Sequence, residues 1–316
     1  MKQLLVLLGP TATGKTALAA HVAYALGGEV ISADSRQVYR GMDIGTGKDY
    51  GDYLVKGVAI PYHLIDIAEP GEEYNIYTFQ HDFRRVYQDV TARNKVPILC
   101  GGSGMYLEAV LKGYRLPEEA TDGDFLASLE KLSDSELEAL LRSMKTLHNN
   151  SDLENRARMI KAIRIAYPPQ GPLTAGREGG WGWVPDALIF GVDYPRGLVR
   201  ARIRRRLEKR MEEGMTGEVE ALLAGGIIPD RLMRYGLEYR FVTRHLLGEI
   251  TKEELLEGLY IAICQFAKRQ MTWFRRMERQ GFVIHWIDGR KPMEEKVALV
   301  LERWKKESAR TGSGAQ

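Results

Sequence analysis

The sequence predicts an α/β protein, a three-layer parallel sheet with a helical insertion domain, and three observations carry that prediction. Short apolar runs alternate with amphipathic helical stretches over the first 113 residues. The segment Asp124–Met144 is polar, helical and strand-free, within a helical insertion read at roughly 115–170. The apolar run Ala187–Val192 then restores a core strand, and long helices follow it. With 316 residues and 44% hydrophobic content, the chain can bury a full core.

In chain order, Leu4–Leu8 reads as a buried strand and Thr16–Leu26 as a helix. Glu29–Ser32 is a second strand leading to Asp34, and His63–Ile67 a further short one. Thr78–Asn94 has helical periodicity, Val96–Cys100 is an apolar strand, and Met105–Leu111 a helix. In the insertion, Asp124–Met144 and Asp152–Ala166 read as helices, with loop-like Pro and Gly clusters at Pro168–Pro172 and Gly176–Gly182. Beyond Asp193 come helices at Leu198–Gly214, Gly217–Ala224, Arg231–Leu247 and Lys252–Met277, then a strand at Phe282–Ile287. The small, polar tail Ser308–Gln316 is expected to be disordered. The domain division is therefore 1–114 with 171–316 as core, and 115–170 as insertion.

Between the first strand and helix, Gly9-Pro10-Thr11-Ala12-Thr13-Gly14-Lys15-Thr16 fits the G-x-x-x-x-G-K-[ST] phosphate loop. Such a loop turns backbone N–H groups toward a polyphosphate at the positive end of a helix. Lys15 is placed to reach the outer phosphates, and the Thr16 hydroxyl to hold Mg²⁺. The fold is accordingly P-loop NTPase-like, with its ligand at the carboxyl ends of the strands.

No apolar run approaches the ~20 residues that span a bilayer, so a soluble, cytoplasmic protein is expected. Cys100 and Cys264 stand alone in apolar settings and read as core residues, not a zinc site or disulfide. The net charge is only +3, but basic residues crowd Arg196–Arg210 and Lys268–Arg279. Two dense basic helices suggest a polyanion bound on one face.

Asp34 falls where the second strand ends, on the sheet edge that the phosphate loop shares. A carboxylate there either holds Mg²⁺ through water or accepts a proton from a nucleophile; the bland alternative is a helix cap. Ser35, Arg36, Gln37 and Tyr39 follow with donors and a ring. The strand Val96–Cys100 ends in Gly101-Gly102-Ser103-Gly104 and not in the acidic motif of a nucleotide hydrolase. That turn either admits a ligand close to the backbone, with Ser103 donating to it, or serves tight packing. Arg196 follows the later strand at the same edge, as a diphosphate clamp or as a surface charge. Ala267–Arg276 mixes bases with Trp273 and Phe274, which either stack on a nucleic acid or fill the core.

Together these residues resemble the tRNA dimethylallyltransferase family, also called tRNA isopentenyltransferases. The resemblance lies in residues 9–16, in Ile31-Ser32-Ala33-Asp34-Ser35-Arg36-Gln37-Val38-Tyr39-Arg40-Gly41-Met42-Asp43-Ile44-Gly45-Thr46, in His63–Ile67, Pro97–Tyr106 and Ala267–Arg276. It implies transfer of a dimethylallyl group from its diphosphate to N6 of an adenosine beside the anticodon, with free adenine nucleotides as the alternative acceptor. It implies Asp34 accepting the amine proton or orienting the amine, and Lys15, Thr16 with Mg²⁺, Ser103 and Arg196 stabilising the leaving diphosphate. Gly9 through Gly14, Ser35 and Gln37 would bind substrate. The partners implied are the anticodon stem-loop of tRNA and dimethylallyl diphosphate, with no membrane and a monomeric protein. The chain departs from the family's pattern at His148–Asp152 and at Arg234–Glu238. A small-molecule kinase and a GTP-dependent RNA-binding switch are the readings from other classes; the second lacks an Asn-Lys-x-Asp motif.

Overall fold

A computed structural model describes residues 4–114, 123–144, 151–153, 155–167 and 184–312. The chain divides into two compact units, 113–183 and the remainder.

The larger unit is organised by a six-stranded sheet of β1 (Leu4–Leu8), β2 (Glu29–Ser32), β5 (Tyr62–His63), β6 (Pro97–Gly101), β7 (Ala187–Asp193) and β8 (Ile284–Asp288). Its order is β5-β2-β6-β1-β7-β8, and every pairing is parallel. A strand buried on both faces needs no polar alternation, which is why Leu4–Leu8 and Pro97–Gly101 are apolar or glycine throughout and fully buried. Because the strands are parallel, Gly9, Asp34, Gly102 and Tyr194 all emerge at one edge. β3 (Leu54–Val55) and β4 (Val58–Ala59) form a small separate hairpin whose turn, Lys56-Gly57, takes positive φ at both residues.

The helices of this unit are α1 (Lys15–Leu26), α2 (Ile76–Ala92), α3 (Gly104–Lys112), α7 (Arg196–Glu212), α8 (Met215–Ala224), α9 (Pro229–Leu232), α10 (Leu237–Leu246), α11 (Lys252–Arg279) and α12 (Met293–Gly312). One apolar cluster packs α1 and α12 against the sheet; a second joins α7 to α11 through Leu207, Tyr239 and Leu259. α11 is the longest at 28 residues, and it opens with a capping box between Thr251 and Glu254.

Several expectations are corrected. The run His63–Ile67 is strand only at its first residue, because Leu64 and Asp66 take positive φ and turn the chain. Arg231–Leu247 is two helices, interrupted at Gly236 (φ 151). α12 extends through residues 308–312, where disorder was expected. Its Met293, Val297, Val300 and Trp304 recur at helical spacing against the core, a signal present in the sequence.

In the smaller unit, α4 (Gly123–Lys131), α5 (Asp134–Met144) and α6 (Arg156–Ala166) enclose their own apolar cluster of Leu129, Leu137, Leu141, Met159 and Ile163. Ser133 and Glu136 exchange hydrogen bonds that start α5, so the helical segment expected over 124–144 is made of two helices. The Pro- and Gly-rich stretches at 168–172 and 176–182 lie outside the described residues.

Candidate active site

The phosphate loop opens onto a cavity of about 450 Å³. Gly9 starts the loop because an added Cβ would stand 2.9 Å from the Val192 carbonyl oxygen of neighbouring β7. Gly14 caps α1 in the left-handed region (φ 75), contributing no side chain at the helix start. Thr11, Ala12, Gly14, Lys15 and Thr16 line the cavity, whereas Gly9, Pro10 and Thr13 do not. Thr13 is instead structural, its hydroxyl donating to the Pro10 carbonyl at 2.8 Å.

Asp34, Ser35, Gln37 and Ser103 join the loop around the same space. One Asp34 oxygen accepts the Arg36 N–H at 3.0 Å, an Asx-type turn that fixes the carboxylate at the strand end. The Ser103 hydroxyl accepts the Ser35 N–H at 3.3 Å, tying the β6 turn to the β2 turn. Gln37 is held at both ends, accepting from the Ser32 hydroxyl at 3.1 Å and donating to the Gly47 carbonyl at 2.9 Å.

Two further residues organise the site without having been singled out by sequence. The Gln270 side chain accepts the Thr11 N–H at 2.8 Å and donates to the Gly102 carbonyl at 2.9 Å, bridging the phosphate loop to the β6 turn. Glu218, from α8, accepts three consecutive backbone N–H groups, Asp43 and Ile44 at 2.7 Å and Gly45 at 3.0 Å. It also accepts the buried Tyr239 hydroxyl at 2.7 Å. The glycine turn serves packing, since Gly102 and Gly104 leave room for the Gln270 and Trp273 side chains, and Ser103 lines the cavity.

The basic helix α7 resolves into faces. Arg202, Arg206 and Arg210, spaced by four, lie along the row that meets the phosphate loop. Arg202 Nε donates to the Ala12 carbonyl at 2.6 Å, and Arg206 donates to the Thr11 hydroxyl. Arg204 is turned away onto Glu257, with bonds of 2.5 and 3.0 Å. Arg196 does not line the cavity; it sits at the start of α7 beside a separate groove that Pro10 also borders. Arg206, ten residues and so ~15 Å further along the helix, lines the cavity where Arg196 was expected.

Loss of water lowers the Lys15 pKa, with the Cys100 thiol and the Asp34 carboxylate opposing the shift. Arg206 is brought down to about 10, by burial first and by Arg210 second. Asp52 also lines the cavity; burial, then the Asp49 charge, push it up to about 6, although it accepts the Ala17 N–H of α1. Cys100 is buried as expected and its thiol is pushed up to about 12 by burial, while Cys264 is half-buried at the wall of the second groove.

α11 forms one wall with Ile263, Phe266, Gln270 and Trp273, and Leu237 and Tyr106 add apolar surface. Phe274 is core, fully buried, so only Trp273 of that pair borders the site. Phe266 lies under the Arg36 guanidinium at 5.5 Å and the Arg269 guanidinium at 6.0 Å. Among the described residues, no group of three or more His, Cys, Asp or Glu could hold a metal ion, and no helix is long and apolar enough to cross a membrane.

Comparison with known proteins places this geometry. The IPP transferase family profile matches residues 37–277, and the isopentenyl transferase profile matches residues 2–62. A Parabacteroides distasonis protein named tRNA dimethylallyltransferase 1 is 52% identical over 301 residues, covering 95% of this chain and 96% of its own. A Bacteroides fragilis tRNA dimethylallyltransferase 2 is 50% identical over 305 residues, covering 96% and 98%. The solved structure of a Bacillus halodurans tRNA isopentenylpyrophosphate transferase covers all of both chains with a TM-score of 0.71 at 28% identity. A eukaryotic dimethylallyltransferase acting on tRNA shares the fold, with a TM-score of 0.74 at 21% identity over 99% of this chain and 78% of that one.

Proposed function

The chain belongs to the tRNA dimethylallyltransferase family, and on that premise we propose its reaction and the roles of its residues. It transfers a dimethylallyl group from dimethylallyl diphosphate to N6 of an adenosine beside the anticodon of tRNA and releases diphosphate. The observation that carries this reading is the make-up of one cavity. Lys15, Thr16 and Arg206 supply groups for a diphosphate, Asp34 supplies a carboxylate, and Phe266, Leu237 and Trp273 supply apolar surface for a prenyl chain and a base.

An exocyclic adenine amine is a weak nucleophile, because its lone pair is delocalised into the ring. It must lose a proton as the C–N bond forms, and Asp34 accepts that proton or orients the amine toward the prenyl carbon. Charge grows on the departing diphosphate, and Lys15, the Thr16 hydroxyl, Arg206 and Ser103 stabilise it. A diphosphate next to Lys15 also offsets the desolvation that depresses its pKa. With no contact to this cavity, Arg196 has no part in that step. Thr11, Ala12, Gly14, Ser35 and Gln37 shape the substrate pocket.

The donor set fits Mg²⁺, which keeps several waters and needs few protein oxygens. The Thr16 hydroxyl would hold the ion, in the cavity that the Asp34 and Asp52 carboxylates also line, and the ion would neutralise charge on the leaving group. Residues 115–170 contact the tRNA, and so do the basic residues of α7 and α11, with the target base extruded toward Asp34. The protein acts in the cytoplasm as a monomer.

The test incubates the protein with labelled dimethylallyl diphosphate, Mg²⁺ and either unmodified tRNA or AMP, then digests and identifies the labelled nucleoside. N6-prenylated adenosine from tRNA is the expected product. Label in AMP alone would overturn the tRNA assignment, and label in neither would reopen a phosphoryl-transfer reading.

A further inference from the structure

Of the three arginines that α7 directs at the phosphate loop, two have polar partners there, Ala12 and Thr11. Arg210 differs. Its side chain is 6% exposed, yet its Nη2 has no hydrogen-bond partner, and the Asp49 carboxylate stands 3.9 Å away. A buried guanidinium with an unused donor is costly, because it has given up water without replacing it. Gly47 packs directly on this guanidinium, leaving no room for a Cβ, so the side chain is confined where it lies. It borders both the cavity and a neighbouring space of about 980 Å³. Arg206 stands one turn away on the same face and carries the same charge. Two like charges on one row, Arg210 buried and Arg206 half-buried, are stabilised by an anion that both can reach.

We propose that Arg210 is a second anion-binding arginine of this site, its guanidinium donating, where it borders the cavity, to an oxygen of the same diphosphate that Arg206 and the phosphate loop hold. This rests on the reading that the cavity binds a diphosphate ester. The forked guanidinium suits such an oxygen pair better than an ammonium does. As the C–O bond to the prenyl carbon breaks, its electron pair stays on the diphosphate, and Arg210 meets part of that added charge.

The test uses the full chain and inorganic diphosphate in magnesium buffer, with calorimetric titration of wild type, Arg210→Gln and Arg210→Lys. Thermal unfolding without ligand and binding of unmodified tRNA are measured alongside. Arg210→Gln is expected to raise the diphosphate Kd about tenfold, and Arg210→Lys by less, in line with loss of one charge-assisted bond. Tm without diphosphate should hold or rise, since an orphan charge has been removed, and the tRNA Kd should stay within about twofold. Unchanged diphosphate affinity in Arg210→Gln overturns the inference, as does a selective loss of tRNA binding. A large fall in Tm with affinity lost equally in Arg210→Lys would mark a purely structural role and overturn it too. If the wild-type protein itself does not bind diphosphate, the functional reading above fails, and this inference with it.

Discussion

Replacing Glu218 by Gln should loosen the site from a distance. Its carboxylate gathers the N–H groups of Asp43, Ile44 and Gly45 and the hydroxyl of Tyr239, which is 1% exposed. A hydrogen bond to a charged group contributes about 1.5–3 kcal/mol. The amide keeps one acceptor oxygen but turns an NH₂ toward donors. Asp43 and Ile44 are half-buried, so water recovers part of their loss. The net cost is about 3 kcal/mol, or about 6 °C in Tm for a chain of this size. Glu218 does not line the cavity, but the loop it fixes supplies the Gly47 carbonyl that holds Gln37. A fall in kcat/KM for tRNA of about tenfold is therefore expected, transmitted through Gln37. Thermal unfolding and steady-state kinetics with both substrates varied make the measurement. A Tm within a degree or so of wild type together with unchanged kcat/KM would refute the reasoning.

Arg206→Ala should lower kcat/KM for the prenyl donor about a hundredfold, whereas Arg196→Ala should stay within about twofold, as measured by diphosphate release. Equal losses would put Arg196 back in the site. Gln270→Ala, which frees the Thr11 N–H and the Gly102 carbonyl, should weaken diphosphate binding measured by titration more than tRNA binding, and the reverse order would contradict its bridging position. Asp52 is an acid whose folded pKa, about 6, lies above its ordinary 3.8. The folded protein therefore holds this proton more tightly, so the associated stability is full below about pH 4 and is lost as pH rises through 6. In diphosphate-free, metal-free protein, Asp52→Asn should raise Tm relative to wild type more at pH 7 than at pH 4, and an equal effect at both would oppose the assigned shift.

The sheet was legible in the sequence because β1, β6 and β7 are uninterrupted apolar runs, and few other structures accept them. The phosphate loop and Asp34 were legible for a related reason, since each follows a strand and the carboxyl edge is common to all. Arg196 was misplaced because position after a strand says where a helix starts, not where its side chains reach. Spacing by four along Arg202, Arg206 and Arg210 was the better signal for the face that meets the loop. Gln270 and Glu218 were hidden by distance: each bonds backbone groups more than 150 residues away in the chain, and nothing local marks them. α12 was legible in retrospect through Met293, Val297, Val300 and Trp304, but its charged outer face masked that stripe.

The central claim is that this phosphate loop holds a leaving group and that Asp34 serves the amine which displaces it. Rapid quench of the wild type and Asp34→Ala, with labelled donor and unmodified tRNA in excess, tests it most directly. The account predicts one diphosphate released per N6-prenyladenosine in the wild type, and near-complete loss of both in Asp34→Ala with donor and tRNA affinities preserved. Normal turnover in Asp34→Ala, or diphosphate released without prenylated adenosine, would contradict it.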